Sequence, residues 1–226
     1  MTAFFDYPKA AAYGRVLPKT KIYEHSKAGN RLKQLFVDQV DQIVWQYKLA
    51  PETINLSATE STAEIQIFKI TLRGAALSED VLRAIDSAIA FPIIFELIEG
   101  KKRKAIAAYK RPSEVDPQKW VVSEYFESDW EPEDNTREPL PAALNLGGLY
   151  DMLVGKLIPA SVGRNEPIAR RVERMEAIRA KEREAQRIKA RLVREKQFNK
   201  RVAINAELRD VAKELKRLGA PPRAVD

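Results

Sequence analysis

A carboxylate and a lysine on neighbouring predicted strands form the one arrangement in this sequence that would support catalysis. Glu96 lies on a predicted central strand, Lys110 ends its hairpin partner, and Glu64 begins an earlier strand. Magnesium-dependent nucleases of the restriction-endonuclease type use acids and a lysine on adjacent strands to hold the metal and activate water. The usual acid-x-lysine triplet is absent, because position 108 is alanine. An ion pair between Glu96 and Lys110 or Arg111 explains the same residues without catalysis.

Other catalytic and metal-binding motifs are missing from the sequence. The chain has a single histidine, His25, and no cysteine, which excludes imidazole clusters, thiolate metal sites and disulfides. It also lacks a glycine-rich phosphate loop and helicase motifs. We therefore expect no metal, no cofactor and a non-enzymatic role. The absence of cysteine, of an apolar leader in residues 1–12 and of a long apolar run favours a cytoplasmic protein that does not enter a membrane.

Positive charge is concentrated in the last third of the chain. The 226 residues carry a net charge of +7. Residues 164–226 hold 19 Lys and Arg against 10 Asp and Glu, a net charge of +9, which leaves 20 cations and 22 acids, or −2, for residues 1–163. This asymmetry indicates a polyanion or an acidic protein surface as partner. A solvated face of a coiled coil explains it equally well.

Residues 168–219 predict a basic helical arm of the coiled-coil type. Strong helix formers dominate this stretch, and neither glycine nor proline occurs between Pro167 and Gly219. Apolar residues recur at intervals of three and four in two stretches, and the phase between them breaks near Phe198. We favour one continuous helix over a helical hairpin, because no glycine or proline supports a tight turn.

Cations that would contact a polyanion lie on this arm and near the start of the chain. Five arginines of the arm are spaced by three, four or seven residues, which places them on one face of a continuous helix. Acids in positions 173–214 have no Lys or Arg four residues later, so the favourable intrahelical pair is absent. Lys19 and Lys21 would share one side of an extended segment. The predicted nucleic-acid or partner-binding residues are Arg183, Arg187, Arg191, Arg194, Lys196, Lys200, Arg201, Lys19 and Lys21.

Residues 1–159 predict a globular α+β domain with a mostly antiparallel sheet and packing helices. The helices are predicted at 30–48, 79–89 and 142–157, and the last is expected to turn five side chains inward: Leu144, Leu149, Met152, Leu153 and Leu157. The strands are predicted at 53–57, 64–72, 91–98, 104–110 and 119–126. An acidic segment at 127–138 is predicted to be a solvated loop. Beyond this domain, residues 160–167 predict a hinge and residues 220–226 a tail.

The chain resembles a bacterial family of unknown function over nearly its whole length. The stretches that carry the resemblance include Val16-Leu17-Pro18-Lys19, Tyr47-Lys48-Leu49-Ala50-Pro51, Phe91-Pro92-Ile93-Ile94-Phe95-Glu96, Ala108-Tyr109-Lys110-Arg111-Pro112 and Glu195-Lys196-Gln197-Phe198-Asn199. The resemblance implies a small cytoplasmic protein encoded beside DNA methyltransferases and helicases in type III restriction-like and phage-defence clusters. It implies an accessory role and supplies no catalytic residue.

Three functional hypotheses follow from the sequence. The first is an accessory protein that docks on a DNA methyltransferase or helicase subunit and contacts that subunit or DNA through its basic arm. The second is a metal-dependent nuclease centred on Glu96 and Lys110. The third is a homodimer held by a coiled coil between two arms, without nucleic acid.

Overall fold

The computed structural model divides the chain into two compact units, Met1–Leu157 and Ile158–Asp226. It describes residues 3–113, 115–116, 119–159, 162 and 166–219. The predicted tail and most of the predicted hinge lie outside the described residues. In the described part of the chain, no helix is both long enough and apolar enough to cross a lipid bilayer.

The first unit is built on a mostly antiparallel sheet. Its strands are β1 (Phe5–Asp6), β2 (Ala12–Val16), β3 (Val40–Leu49), β4 (Ile65–Leu72), β5 (Ile93–Glu99), β6 (Lys102–Pro112), β7 (Trp120–Glu127), β8 (Glu131–Pro132) and β9 (Glu138–Pro139). The main sheet has the order β2-β3-β4-β5-β6-β7, and β8 also pairs with β6. Within it only β4 and β5 run parallel, while β1 and β9 form a separate parallel pair. The predicted α+β class is confirmed.

Helices of the first unit connect and cover these strands. They are α1 (Lys19–Ser26), α2 (Asn30–Gln39), α3 (Pro51–Ile54), α4 (Glu79–Ala88) and α5 (Leu146–Gly155), with a 3₁₀ turn at Lys9–Ala11. The main core joins α1, α2 and α4 to one face of the sheet, around Phe36, Phe68, Ile85 and Phe95. Both faces of β4 and β5 are covered, which explains why these strands are apolar along most of their length.

Local signals explain the elements that the sequence predicts well. Ser78 caps α4 and accepts a hydrogen bond from the Asp80 amide, as the sequence indicates. Gly100 turns the chain between β5 and β6 with a φ of +57°, a conformation that favours glycine. Strands β4, β5, β6 and β7 lie where the alternation and the apolar run predict them.

The helix predicted over residues 30–48 is wrong in its second half. The chain is helical only to Gln39 and then forms β3, which pairs with both β2 and β4. Val40, Ile43, Val44 and Tyr47 satisfy a helical spacing, but β-branched and aromatic side chains also suit a strand. Pairing on two sides satisfies the backbone of β3 and decides between the two structures.

Three smaller predictions are also corrected. The segment 53–57 is not a strand, because Pro51 begins the short helix α3 and the Thr53 hydroxyl accepts a hydrogen bond from the Ala50 amide. The helix predicted from residue 142 begins only at Leu146, where the side chain of Asn145 caps it. Residues 144 and 152, expected to point inward, are 95% and 38% exposed.

The second unit is a helical hairpin of α6 (Ile168–Arg194) and α7 (Phe198–Gly219), so the expected continuous helix is wrong. Residues 195–197 close the turn without glycine or proline. The Glu195 backbone is extended, and its carboxylate accepts a hydrogen bond of 2.8 Å from the Gln197 amide. Contacts of 3.1 Å from Arg191 to Glu207 and from Arg174 to the Leu218 carbonyl show that the helices run antiparallel.

The apolar seam of the hairpin comes from both helices. Ile188, Ile204 and Val211 are buried in it. Ala185, Leu192, Leu208 and Leu215 pack against them. The two apolar stretches read from the sequence therefore pack on each other, and the break in phase between them is the turn of the hairpin.

Candidate functional site

Glu96 is buried in an ion pair with Arg137, not with Lys110. The Arg137 guanidinium donates to both carboxylate oxygens of Glu96, at 2.8 and 2.7 Å, and also to the Phe5 carbonyl at 3.1 Å. These bonds to Glu96 hold the pKa of Arg137 above its usual value. Because both carboxylate oxygens are engaged, Glu96 is part of the internal framework of the first unit.

Lys110 closes the end of α4. Its ammonium group donates to the Asp86 carbonyl at 2.6 Å and to the Ile89 carbonyl, and lies 3.7 Å from the Asp86 carboxylate. The carbonyls at a helix C-terminus lack intrahelical partners, and a cation there also complements the helix dipole. The Tyr125 hydroxyl donates to the same carboxylate. Burial lowers the pKa of Lys110 and raises that of Asp86.

Glu96 and Lys110 lie on opposite faces of the sheet. Glu96 pairs with Ala105 on β6, so these two side chains share a face. Lys110 is five positions further along β6 and therefore points to the other face. The irregularity between Ala108 and Lys110 adds its extra residue to β7, so the alternation of β6 is kept.

The second acid of the predicted nuclease site, Glu64, is also engaged elsewhere. Glu64 accepts a hydrogen bond from Gln66 and lies 3.5 Å from the Lys48 ammonium. The structure therefore does not bring Glu64, Glu96 and Lys110 together. Within the described ranges, no group of three or more acidic or imidazole side chains is placed to hold a metal ion.

Two partners in these pairs were missed from the sequence, although each leaves a signal there. Asp86 falls inside the apolar stripe of α4, four residues after Leu82 and one after Ile85. An acid in such a stripe is buried and needs a partner. Arg137 is the one cation in the acidic segment 127–138, which marks it as the partner of a carboxylate.

Lys19 and Lys21 do not form the predicted pair on an extended segment. Both lie on α1, and residues two apart on a helix do not face the same way. The Lys19 ammonium donates to the Phe36 and Val40 carbonyls at 3.0 and 2.5 Å, where α2 ends. Lys21 is exposed and lies 3.7 Å from Glu24. Lys19 thus donates to backbone carbonyls at the C-terminal end of α2, as Lys110 does at the end of α4.

The acidic segment 127–138, predicted as a solvated loop, is solvated only in part. Asp129 and Asp134 are exposed, but ion pairs of other residues hold the segment as a strap. Glu131 accepts hydrogen bonds from the buried Arg103, the shorter at 2.6 Å. Glu133 lies 3.0 Å from Lys69, and Arg137 binds the carboxylate on β5 described above. Residues of the strap also form β8 beside β6. The acids of the strap neutralise cations of the sheet.

The predicted cations of the arm are exposed on the hairpin. Arg183, Arg187, Arg191 and Arg194 lie on α6, Lys196 lies in the turn, and Lys200 and Arg201 lie on α7. Because the chain turns, Arg201 belongs to the second helix and does not continue the arginine row of the first. Arg191 contacts Glu207 at 3.1 Å. Lys200 lies in the electrostatic field of Glu195, whereas Arg194, Lys196 and Arg201 have no acidic partner among the described residues.

The carboxyl of Asp151 on α5 is half-buried beside Tyr109. Burial raises the pKa of its carboxyl to about 6, while a hydrogen bond with Tyr109 acts in the opposite direction. The same environment raises the pKa of Tyr109 to about 12. The ring of Tyr109 stacks on Tyr150 at 5.7 Å between centroids. The Tyr150 hydroxyl donates to the Ala108 carbonyl and accepts from the Lys110 amide, which fixes α5 to β6.

The raised pKa of Asp151 makes stability depend on pH in a defined direction. A carboxyl whose folded pKa lies above its unfolded value of 3.8 destabilises the fold when it is ionised. We expect the urea midpoint to rise as pH falls from 7 towards 4, and Asp151→Asn to flatten this rise. The carboxyl carbon shift of Asp151, followed by NMR, should titrate near pH 6. A titration midpoint near 4 would contradict the prediction.

Comparison with known proteins places the chain in a family without an assigned activity. The family described as "Domain of unknown function (DUF4391)" matches residues 5–215, which include both units almost entirely. No curated protein and no solved structure matches the chain.

Proposed function

The chain belongs to the DUF4391 family, and from the distribution of its charge we propose that it is a non-enzymatic accessory protein of a DNA-modification or phage-defence system. The first unit would dock on a DNA methyltransferase or helicase subunit. The basic hairpin would contact that subunit or the DNA on which it acts. The link to such systems comes from the resemblance to proteins encoded beside these enzymes.

The observation that carries the proposal is the separation of charge between the two units. Residues 158–226 hold the net charge of +9, and residues 1–157 hold −2. Three exposed cations near the turn of the hairpin have no acidic partner in the described part of the chain: Arg194, Lys196 and Arg201. Solvated cations that bind a phosphate backbone displace the counterions condensed on it, and this release favours binding.

The contacts of the first unit support a non-enzymatic role. A catalytic lysine must reach its substrate, but the Lys110 side chain is 1% exposed and donates to two backbone carbonyls. The Glu96 carboxylate is equally enclosed by Arg137. No observation favours the alternative of a metal-dependent nuclease centred on these residues.

A homodimer through the arm is the remaining alternative, and the seam of the hairpin bears on it. The apolar residues that would form an interchain coiled coil pack within the hairpin itself. We therefore expect the full chain to be a monomer. Light scattering on the full chain measures this directly, and a dimer that dissociates on deletion of residues 160–226 would favour the alternative.

DNA binding by the hairpin is tested by reversing the charges of two exposed cations on α7. We expect Lys200→Glu with Arg201→Glu to weaken binding of the full chain to a DNA duplex. The slope of log affinity against log salt concentration should become shallower by about 2, since each phosphate contact contributes about 0.9 to it. Fluorescence anisotropy at several salt concentrations measures both quantities.

A matched control carries the same change of charge on the first unit. Lys9→Glu with Arg31→Glu also lowers the net charge by four, at exposed positions away from the hairpin sequence. We expect this control to bind DNA nearly as the unmodified chain does. Equal losses in both variants would show that only net charge matters and would contradict a binding role of the hairpin.

Docking on a protein partner is tested by co-purification with the methyltransferase and helicase encoded beside the gene. We expect at least one of them to be retained by the full chain, and deletion of residues 160–226 to weaken retention. Retention that persists at high salt would assign the contact to protein docking. The proposal fails if neither enzyme is retained and DNA binding is absent.

A further inference from the structure

Phe198 is the one exposed aromatic side chain in the described structure. The chain has 18 aromatic residues, and every other one is buried or half-buried. The Phe198 ring is 78% exposed at the first residue of α7. Burying an aromatic side chain is strongly favourable, so a ring left in water is available to an outside surface.

The residues around Phe198 form the most cationic segment of the hairpin. We define the hairpin tip as residues 191–202. The tip carries five cations and one acid, a net charge of +4 over 12 residues, whereas the other 40 residues of 168–219 carry +5. The single acid, Glu195, is used within the turn, where its carboxylate accepts from the Gln197 amide.

The chemistry of the tip matches single-stranded nucleic acid. Proteins that bind single strands without sequence preference combine cations that follow the phosphates with aromatic rings on which bases stack. In a duplex the bases are already stacked, so an exposed ring adds little there. A protein partner is a poorer match, because lysine is depleted in protein interfaces and Phe198 lies between Lys196 and Lys200 in sequence.

We propose that the hairpin tip binds single-stranded nucleic acid, with the ring of Phe198 stacked on an unpaired base and Arg194, Lys196, Lys200 and Arg201 on neighbouring phosphates. This inference rests on the proposed function and narrows it, since that function asks only for a polyanion or a partner protein. Single-stranded DNA is the form that a helicase subunit produces. The tip would then hold a strand near the enzyme on which the first unit docks.

The experiment compares one labelled oligonucleotide, single-stranded and annealed to its complement, by fluorescence anisotropy with the full chain. We expect Phe198→Ala to weaken binding to the single strand about tenfold, since stacking contributes about that much per base. Binding to the duplex, and the salt slope with either form, should stay unchanged, because no phosphate contact is lost. Phe198→Tyr should keep the affinity for the single strand.

Two further variants sharpen the test. Val193→Ala removes an exposed apolar side chain of the same tip, 86% exposed, and should change neither affinity. Phe198→Trp places an indole at the stacking position, and we expect its emission to be quenched by the single strand and not by the duplex. Because both positions are exposed, we expect each variant to keep its helical content, and circular dichroism measures this.

The outcomes separate this inference from the proposed function. If Phe198→Ala changes neither affinity, or weakens binding to both nucleic-acid forms equally, the stacking role of Phe198 is overturned. Salt-dependent binding that is lost in the double variant Lys200→Glu with Arg201→Glu would still support the proposed function. If none of the variants binds differently, the role of the hairpin in DNA binding is also overturned. If Phe198→Ala abolishes capture of a partner enzyme and leaves single-strand binding intact, the tip is a protein contact and the inference is wrong.

Discussion

Replacing Lys110 with methionine is expected to lower the free energy of unfolding by about 3–5 kcal/mol, the usual effect of removing one member of a buried ion pair. Methionine keeps most of the length and the apolar volume of the lysine stem. It leaves the Asp86 carboxylate, 4% exposed, without its cation. It also removes the donor of the Asp86 and Ile89 carbonyls at the end of α4. Urea unfolding of the full chain at pH 7, followed by circular dichroism, measures the change.

A second lysine with the same task provides the control for this variant. Lys19 closes the end of α2 through two carbonyls, but it is only partly buried. Lys19→Met should therefore cost about 1 kcal/mol, because water replaces the lost donor. Adding Asp86→Asn to Lys110→Met should recover part of the stability, since no buried charge is then left unpaired. Equal losses at Lys19 and Lys110 would contradict the assigned difference in burial.

Replacing Arg137 with methionine is expected to lower the free energy of unfolding by about 3–5 kcal/mol, because it also leaves a buried carboxylate without its cation. The Glu96 carboxylate is 3% exposed and loses both of its hydrogen bonds from the guanidinium. Glu96→Gln should cost less, because the remaining Arg137 is 31% exposed and still donates to the Phe5 carbonyl. The order of the two losses, read from urea midpoints, tests this asymmetry.

An exposed pair of the same strap serves as control for Arg137. Lys69 and Glu133 lie 3.0 Å apart, but their side chains are 36% and 41% exposed. Lys69→Met should therefore change the stability by less than about 1 kcal/mol. If Glu96→Gln left stability unchanged and instead abolished a metal-dependent cleavage of DNA, the nuclease hypothesis would regain support and the structural role of this pair would fall.

Elements set by neighbouring residues were predictable from the sequence. The alternation of β4, the glycine turn before β6 and the cap of α4 each depend on a few adjacent side chains. The transition from α2 to β3 could not be predicted, because Ile43 and Val44 suit both a helix and a strand. Only pairing with β2 and β4 selects the strand. The hairpin was missed because its turn uses a glutamate side chain where a glycine was expected.

The candidate site followed the same division. Exposed cations of the arm could be recognised from composition, since a surplus of cations over acids must face water or a ligand. The intrahelical ion pairs were missed, because they join residues three apart and the sequence was searched at a spacing of four. The partners of Glu96 and Lys110 could not be recognised from the sequence. Arg137 lies 41 residues from Glu96 along the chain, and Asp86 lies 24 residues from Lys110. A predicted strand order does not reveal which buried charges meet across a core. The proposed role of Phe198 could not be inferred from the sequence, because it depends on the exposure of the side chain in the folded hairpin.

The strap at residues 127–138 also has a consequence for how the first unit folds. Its ion pairs join residues that are 28, 41 and 64 positions apart: Arg103 with Glu131, Glu96 with Arg137, and Lys69 with Glu133. Closing loops of this length costs chain entropy before any contact is gained, and such separations slow folding. We therefore expect the strap to dock after β4, β5 and β6 have paired, which would leave the cations of the sheet uncovered until then.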